Sequence, residues 1–398
     1  MKVSFLSFKS LLDNNSGAAL EIKTVLEALS DKGIECSAIS LNCYDIGEDY
    51  AEDEKIDHRL SPREGHGQTF HYDLKGVRHY LYVGSSKDTV KLTQQDYDSF
   101  IRLAISYLEE VSPDIVIFFG SNELLPLLKF AKSKGAKVIF YAGTASYQSE
   151  RKPLFDIANT LIVPTEYIGR LYEKRFGKMF RVIPTTLPFC IDPPHADIVL
   201  ARRLLGKITL VNPTADKGGH FFFRLASNPL LCDRPFLCVE SRGTRRFWRS
   251  SGINIDAVAN ISWAPWQSSI KSVLSSSAVL LIPSLVEEAA GKVIAEAMAL
   301  GVPCIGFDIG GIGEQIGKGG VILPFDNRLA ADLETSLYQI QVVDEPINLW
   351  ANVLHSLLTS HIKYESLSKF AVEEARRFLP EFTVQQWYEE ILSLKERI

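Results

Sequence analysis

Two glutamates, Glu288 and Glu296, bracket a run of small and apolar residues that follows a strand-length apolar segment closed by Pro283 and Ser284. Val293, Ile294, Ala297, Met298 and Leu300 predict a buried helix here, stopped by Gly301 and Pro303 as a C-cap glycine and a following proline should stop one. Glu288 stands at the mouth of that helix. Glu296 lies two turns in, where an ionised side chain is costly unless a polar group meets it. Between them the amides of Ala289, Ala290 and Gly291 form the positive end of the helix, which suits a pyrophosphate. At roughly 1.5 Å of rise per residue the two carboxylates are about 12 Å apart, near the span from ribose to sugar in a sugar nucleotide. The same pattern would also suit a plain cap at Glu288 and a core arginine on Glu296.

A second apolar run, 303–307, predicts the next strand, and its exit carries Gly310 and Gly311, small enough for a ligand to approach the backbone. Upstream, Ile208 to Val211 predicts a strand, residues 212–219 a tight loop and His220 to Ala226 a helix. Lys217 opposes the dipole of that helix, so an anion should compensate it unless it is simply an exposed lysine.

The order Pro283-Ser284, Glu288, Gly291, Glu296-Ala-Met-Ala, Gly301-x-Pro303, Gly310-Gly311 and Glu314 resembles the nucleotide-sugar signature of glycosyltransferase family four, the retaining enzymes of GT-B fold. The resemblance implies two Rossmann-like α/β domains facing each other across a cleft, with a C-terminal helix crossing back to the first domain. It also implies that Glu288 touches the donor sugar, Glu296 the ribose and the amides near Gly291 the diphosphate. Lys217 and Gly218 resemble the family's phosphate-clamping lysine and glycine. The nucleobase would pack in the loop carrying Trp266, with Trp263 nearby, and Gly17 with Ser16 would touch the donor phosphate or the acceptor. The family places an arginine five residues before the lysine; here Asn212 stands there, and Arg242, with Arg245 and Arg246 behind it, is the substitute. The combination of VNP, KGG and VExRG resembles a branch found in bacterial polysaccharide and natural-product clusters. The expected donor is a UDP- or GDP-type sugar, used without a metal or cofactor. A nucleotide-sugar 2-epimerase and a non-catalytic sugar-nucleotide binder are the alternatives, the second suggested by Asn212 and by the absence of the first-domain histidine many members carry.

The elements that must position these residues need two domains, since 398 residues exceed one ordinary core. The expected division is an N-terminal domain of residues 1–190 with the C-terminal helix 380–398, a proline-rich linker 191–206 and a donor domain 207–379. In the first domain Lys2 to Phe8, Ala19 to Gly33 and Glu35 to Leu41 open a βαβ unit. Residues 45–67 are polar and acidic and read as a mobile loop, and 70–82 as a hairpin. Alternating helices and strands follow to residue 176, and Asp332 to Gln341 is read as a helix of the second domain. Loops after these strands supply Asn122, Thr144 and Tyr147 as candidate acceptor contacts, together with Ser16. Arg170, Lys174, Arg175 and Lys178, with Arg181, could hold a lipid phosphate and give a peripheral membrane contact. A hydrophobic share of 46% and a charged share of 23% are those of a globular protein, and a net charge of −5 argues against a nucleic-acid partner. Without a membrane-span-length apolar stretch the expected location is cytoplasmic, and the six cysteines, lacking metal spacing, read as mostly buried free thiols.

Overall fold

The computed structural model describes residues 1–45, 52–251, 254–329 and 344–396. The chain forms two compact domains, Met1–Pro188 with Pro380–Ile398, and Phe189–Leu379.

The first domain is built on eight strands: β1 (Lys2–Ser7), β2 (Glu35–Leu41), β3 (Thr69–Leu74), β4 (Val77–Tyr82), β5 (Ile115–Phe118), β6 (Lys137–Tyr141), β7 (Thr160–Val163) and β8 (Phe180–Val182). Their order is β3-β4-β2-β1-β5-β6-β7-β8. Every pairing is parallel except the β3–β4 hairpin. Helices α1 (Gly17–Asp31), α2 (Pro62–Gly65), α3 (Gln94–Val111), α4 (Leu125–Ser133), α5 (Lys152–Ile157) and α6 (Glu166–Phe176) make the connections. Parallel strands covered on both faces need continuous apolar runs. β5, Ile-Val-Ile-Phe, is fully buried accordingly.

The second domain carries α7 (Ala196–Leu205), β9 (Lys207–Val211), α8 (Gly219–Ala226), β10 (Phe236–Val239), α9 (Arg245–Ser250), β11 (Ile261–Ala264), α10 (Lys271–Ser275), β12 (Ser277–Ile282), α11 (Lys292–Ala299), β13 (Cys304–Phe307), α12 (Ile312–Ile316), β14 (Gly320–Leu323), α13 (Asp344–Thr359) and α14 (His361–Ala375). Its six-stranded sheet has the order β11-β10-β9-β12-β13-β14, parallel throughout. The last helix, α15 (Pro380–Glu396), belongs to the first domain. There Trp387 is buried beside Tyr141, with ring centroids 6.0 Å apart, and Glu390 accepts from the Thr160 hydroxyl at 3.0 Å. These two parallel-sheet α/β domains with a long C-terminal helix make a GT-B fold.

Two expectations are corrected. Residues 191–206 are not a bare linker, because α7 occupies most of them and buries Val199 and Arg202. The Arg202 guanidinium donates to the carbonyls of Leu300 (2.5 Å) and Ser275 (2.7 Å), at the carboxyl ends of α11 and α10, where a cation is favoured. In the described part of 45–67, short helical turns form at Glu52–Lys55, His58–Leu60 and Pro62–Gly65, and Leu60 is fully buried. Edge strands β8 and β14 were not expected. The proposed helix 332–341 lies outside the described residues. Four cysteines, Cys36, Cys43, Cys238 and Cys304, are buried free thiols, whereas Cys190 and Cys232 are exposed. No helix among the described residues is long and apolar enough to cross a membrane.

Candidate functional site

In the second sheet the chain steps outward from β9 to β10 and β11, then returns to β12 on the other flank of β9. The strand order therefore reverses between β9 and β12, where open α/β sheets leave a crevice beyond the carboxyl ends of their strands. Glu288 follows β12, and Lys217 follows β9.

The loops at this edge are locked together by their backbones. The Leu285 amide donates to the Asp216 carbonyl at 2.8 Å, tying the β12 loop to the β9 loop. Gly218, in the left-handed region at φ 77°, lies so close to the same loop that a Cβ would stand 2.0 Å from the Pro283 carbonyl oxygen. Gly310, at φ 62°, meets the Glu288 backbone as closely, with a Cβ 2.5 Å from its nitrogen, and the Gly311 amide donates to the Glu288 carbonyl at 2.7 Å. Both glycines are thus required by close approach within the protein itself. Their effect is to hold the segment from Pro283 to Glu288 between two neighbouring loops.

The Glu288 carboxylate accepts from the Ser284 hydroxyl and forms an ion pair with Lys217. It does not cap α11, whose N-cap, Gly291, offers no side chain and whose first turn carries no acid. The amino end of α11 therefore keeps its backbone donors clear of any side-chain cap. Residues 288–291 are not helical, so the helical-rise separation of the two acids does not apply across that part of the interval. Glu296 lies one turn inside α11, half-buried, and takes no arginine. Among the described residues it makes no hydrogen bond or ion pair with the protein. Desolvation raises its pKa to about 7, an effect the Lys292 ammonium only partly offsets. Ala289 is buried and Ala290 half-buried behind this edge.

Asn212 has its backbone in the left-handed region, at φ 58°, and its carboxamide oxygen accepts from the Gly243 amide at 2.9 Å. Arg242 is exposed, while Arg245 is engaged with Asp256 at 2.6 Å. Trp266 is half-buried in the loop after β11. Trp263 packs its ring 6.0 Å from Phe223 against the domain core.

In the first domain Gly17 opens α1 with nothing within 4 Å of a Cβ built on it, so no internal contact demands the glycine. The Ser16 hydroxyl caps Ala19 of the same helix and is committed to it. Asn122 donates to the Glu150 carbonyl at 2.7 Å, and the Thr144 hydroxyl pairs with Ser146 at 2.9 Å. Tyr147, expected as a hydrogen-bonding group, packs its ring at tilted and edge-on angles among Phe140, Phe155 and Tyr172; its hydroxyl is hydrogen-bonded to the Gly120 backbone, and burial raises the phenol to about 12. Most of the basic cluster is engaged locally: Arg170 with Glu166, Arg175 with the Tyr147 carbonyl, Lys178 with the Ala158 carbonyl and Arg181 with Glu390. Lys174 is exposed. Among the described residues no group of three or more His, Cys, Asp or Glu could hold a metal ion.

Residues 218–339 match the family model of the glycosyl transferases group 1. That segment contains Gly218, Glu288 and Glu296, and it begins at the residue after Lys217. The chain is a glycosyltransferase of GT-B architecture. Solved structures agree in fold over the whole length of the chain. A sucrose-phosphate synthase from Thermosynechococcus elongatus superposes with a TM-score of 0.71 at 16% identity, covering 99% of both chains. HepE from Anabaena, solved with UDP-glucose, gives 0.70 at 14% identity, covering 99% of this chain and 100% of that one. A glycosyltransferase from Rickettsia africae gives 0.66 at 14% identity, covering 100% and 99%. No curated protein matches the chain in sequence.

Ser284 was legible in the sequence as part of the motif, but its bond to Glu288 was not. The Asn212–Gly243 contact had no signal at all, because it joins loops on different strands.

Proposed function

We propose that the protein is a retaining glycosyltransferase of family four that moves a sugar from a nucleoside-diphosphate donor to an acceptor hydroxyl in polysaccharide or natural-product assembly. One observation carries this reading: an uncapped helix end at the strand-order reversal, with Glu288 tethered on one side and Glu296 unpaired in α11 on the other. HepE, solved with UDP, with UDP and glucose, and with UDP-glucose, supports a UDP-type donor for this chain.

In this reading Glu296 accepts from the ribose hydroxyls, the amides at 289–292 take the diphosphate, and Glu288 orients the sugar. The bond from the anomeric carbon to the diphosphate oxygen breaks while the acceptor oxygen bonds to that carbon from the same face. The acceptor's proton passes to the departing phosphate oxygen. Negative charge grows on that phosphate, so Lys217 turns from Glu288 toward it and Arg242 adds a second positive charge. Gly17 at the start of α1 would give the first-domain contact to the phosphate or the acceptor, and Trp266 would lie by the base.

The test is a panel of nucleotide sugars incubated with the purified protein. Slow release of free sugar and nucleoside diphosphate from one of them is expected, because transfer enzymes leak to water. An isomerised nucleotide sugar instead would make the protein an epimerase, and no change in any donor would make it a binder.

A further inference from the structure

We propose that Asn212 is a positioning residue, whose carboxamide fixes the turn 241–243 so that the Arg242 guanidinium serves the leaving diphosphate; this rests on the donor site described above. The backbone of Asn212 is left-handed, a conformation that asparagine tolerates better than most residues with a side chain. With the chain bent there, the side chain turns sideways to the next strand's loop, and its oxygen takes the Gly243 amide at 2.9 Å. Strands β9 and β10 pair in register, Val211 opposite Val239, so the two loops leave the sheet together.

The contact is close on both sides. A Cβ on Gly243 would stand 2.3 Å from the Pro213 carbonyl carbon and 2.5 Å from the Thr214 nitrogen. Trp248 of α9 donates its indole N–H to the Pro213 carbonyl at 2.5 Å, and the Arg245 amide donates to Glu240 at 2.7 Å. The turn is therefore pinned before and behind Arg242. Arg245 is committed to Asp256, whereas Arg242 is exposed and forms no hydrogen bond or ion pair among the described residues. Lys217 is paired with Glu288, so a diphosphate carrying two negative charges gains most from a second cation held in place. Asn212 acts through Arg242 rather than on the donor.

A double-mutant cycle tests this. Asn212→Gly keeps the left-handed backbone and removes the acceptor. Donor hydrolysis is read on the nucleotide sugar turned over fastest in the panel, and affinity on its free nucleoside diphosphate. Arg242→Ala is expected to slow hydrolysis about 100-fold and Asn212→Gly about tenfold, with the double variant no slower than Arg242→Ala alone. Multiplying effects, or an Arg242→Ala that changes nothing, overturn the proposal. Should Asn212→Gly not fold, Gly243→Ala reads the same coupling, since its methyl group lifts the turn. Lys217→Met separates the two levels of the argument. If it too leaves hydrolysis unchanged, the donor site itself is misread; if it abolishes hydrolysis while the cycle is multiplicative, only Asn212 is misassigned.

Discussion

Replacing Glu288 with alanine is expected to lower sugar transfer by about 10²- to 10³-fold at saturating donor, while the affinity for UDP stays within about threefold. The reason lies in what surrounds the carboxylate. Its backbone is held by the Gly310 and Gly311 loop and its side chain by Ser284 and Lys217, so its position is set by the protein and not by the nucleotide. Removing it leaves the α11 amides and Glu296 in place for the nucleotide. It also frees Lys217 from its counter-ion, so any change in UDP affinity should be toward tighter binding. Isothermal titration with UDP and single-turnover transfer assays check the two halves separately. A variant that loses UDP affinity more than tenfold and keeps its turnover would place the nucleotide, not the sugar, on Glu288.

Glu296→Gln should do the reverse, and its effect should depend on pH. The carboxyl has a pKa near 7, raised by burial from an ordinary 4.5. If the ionised form binds the ribose hydroxyls, UDP affinity in the unaltered protein rises as pH goes from 6 to 8 and levels off above the pKa. UDP itself titrates near 6, so Glu296→Gln, which retains only the UDP contribution, gives the reference curve. The difference between the two should approach tenfold at pH 8 and shrink toward pH 6. Stability should change with the opposite sign. Because the folded pKa lies above the unfolded one, the native state binds the proton more tightly, and stability falls as pH rises from 4.5 through 7. The cost above pH 7 is roughly 3 kcal/mol, so Glu296→Gln should melt higher than the parent at pH 8 and about equally at pH 4.5. A pH-independent difference in both assays would show that Glu296 is not the titrating group.

The fold was legible wherever burial is two-sided and continuous. β12, with all six residues buried, and α11, with five of its eight residues buried, follow directly from an apolar strand run and a helix stopped by Gly301 and Pro303. α7 was hidden because the prolines at 193 and 194 just before it suggested a linker, whereas its docking uses buried Val199 and two arginines, Arg202 and Arg203, that reach carbonyls about 70 to 155 residues away in sequence. β14 was hidden by the glycines before it. In the site, the residues themselves were read from their motif. What the sequence could not carry was their engagement: that Lys217 pairs with Glu288, that the Tyr147 ring is packed in an aromatic cluster with its phenol on the Gly120 backbone, or that the Ser16 hydroxyl is committed to a helix cap. Each of these is a contact between segments, or a choice of rotamer, on which residue type is silent.

The central claim is that the amino end of α11 holds a nucleoside diphosphate with its ribose toward Glu296 and its outer phosphate toward Lys217 and Arg242. The most direct measurement is a crystal structure of the protein with UDP bound. The account predicts both ribose hydroxyls within hydrogen-bonding distance of the Glu296 carboxylate and phosphate oxygens on the amides of residues 289–292. Density for UDP elsewhere, or a ribose turned away from Glu296, would contradict it.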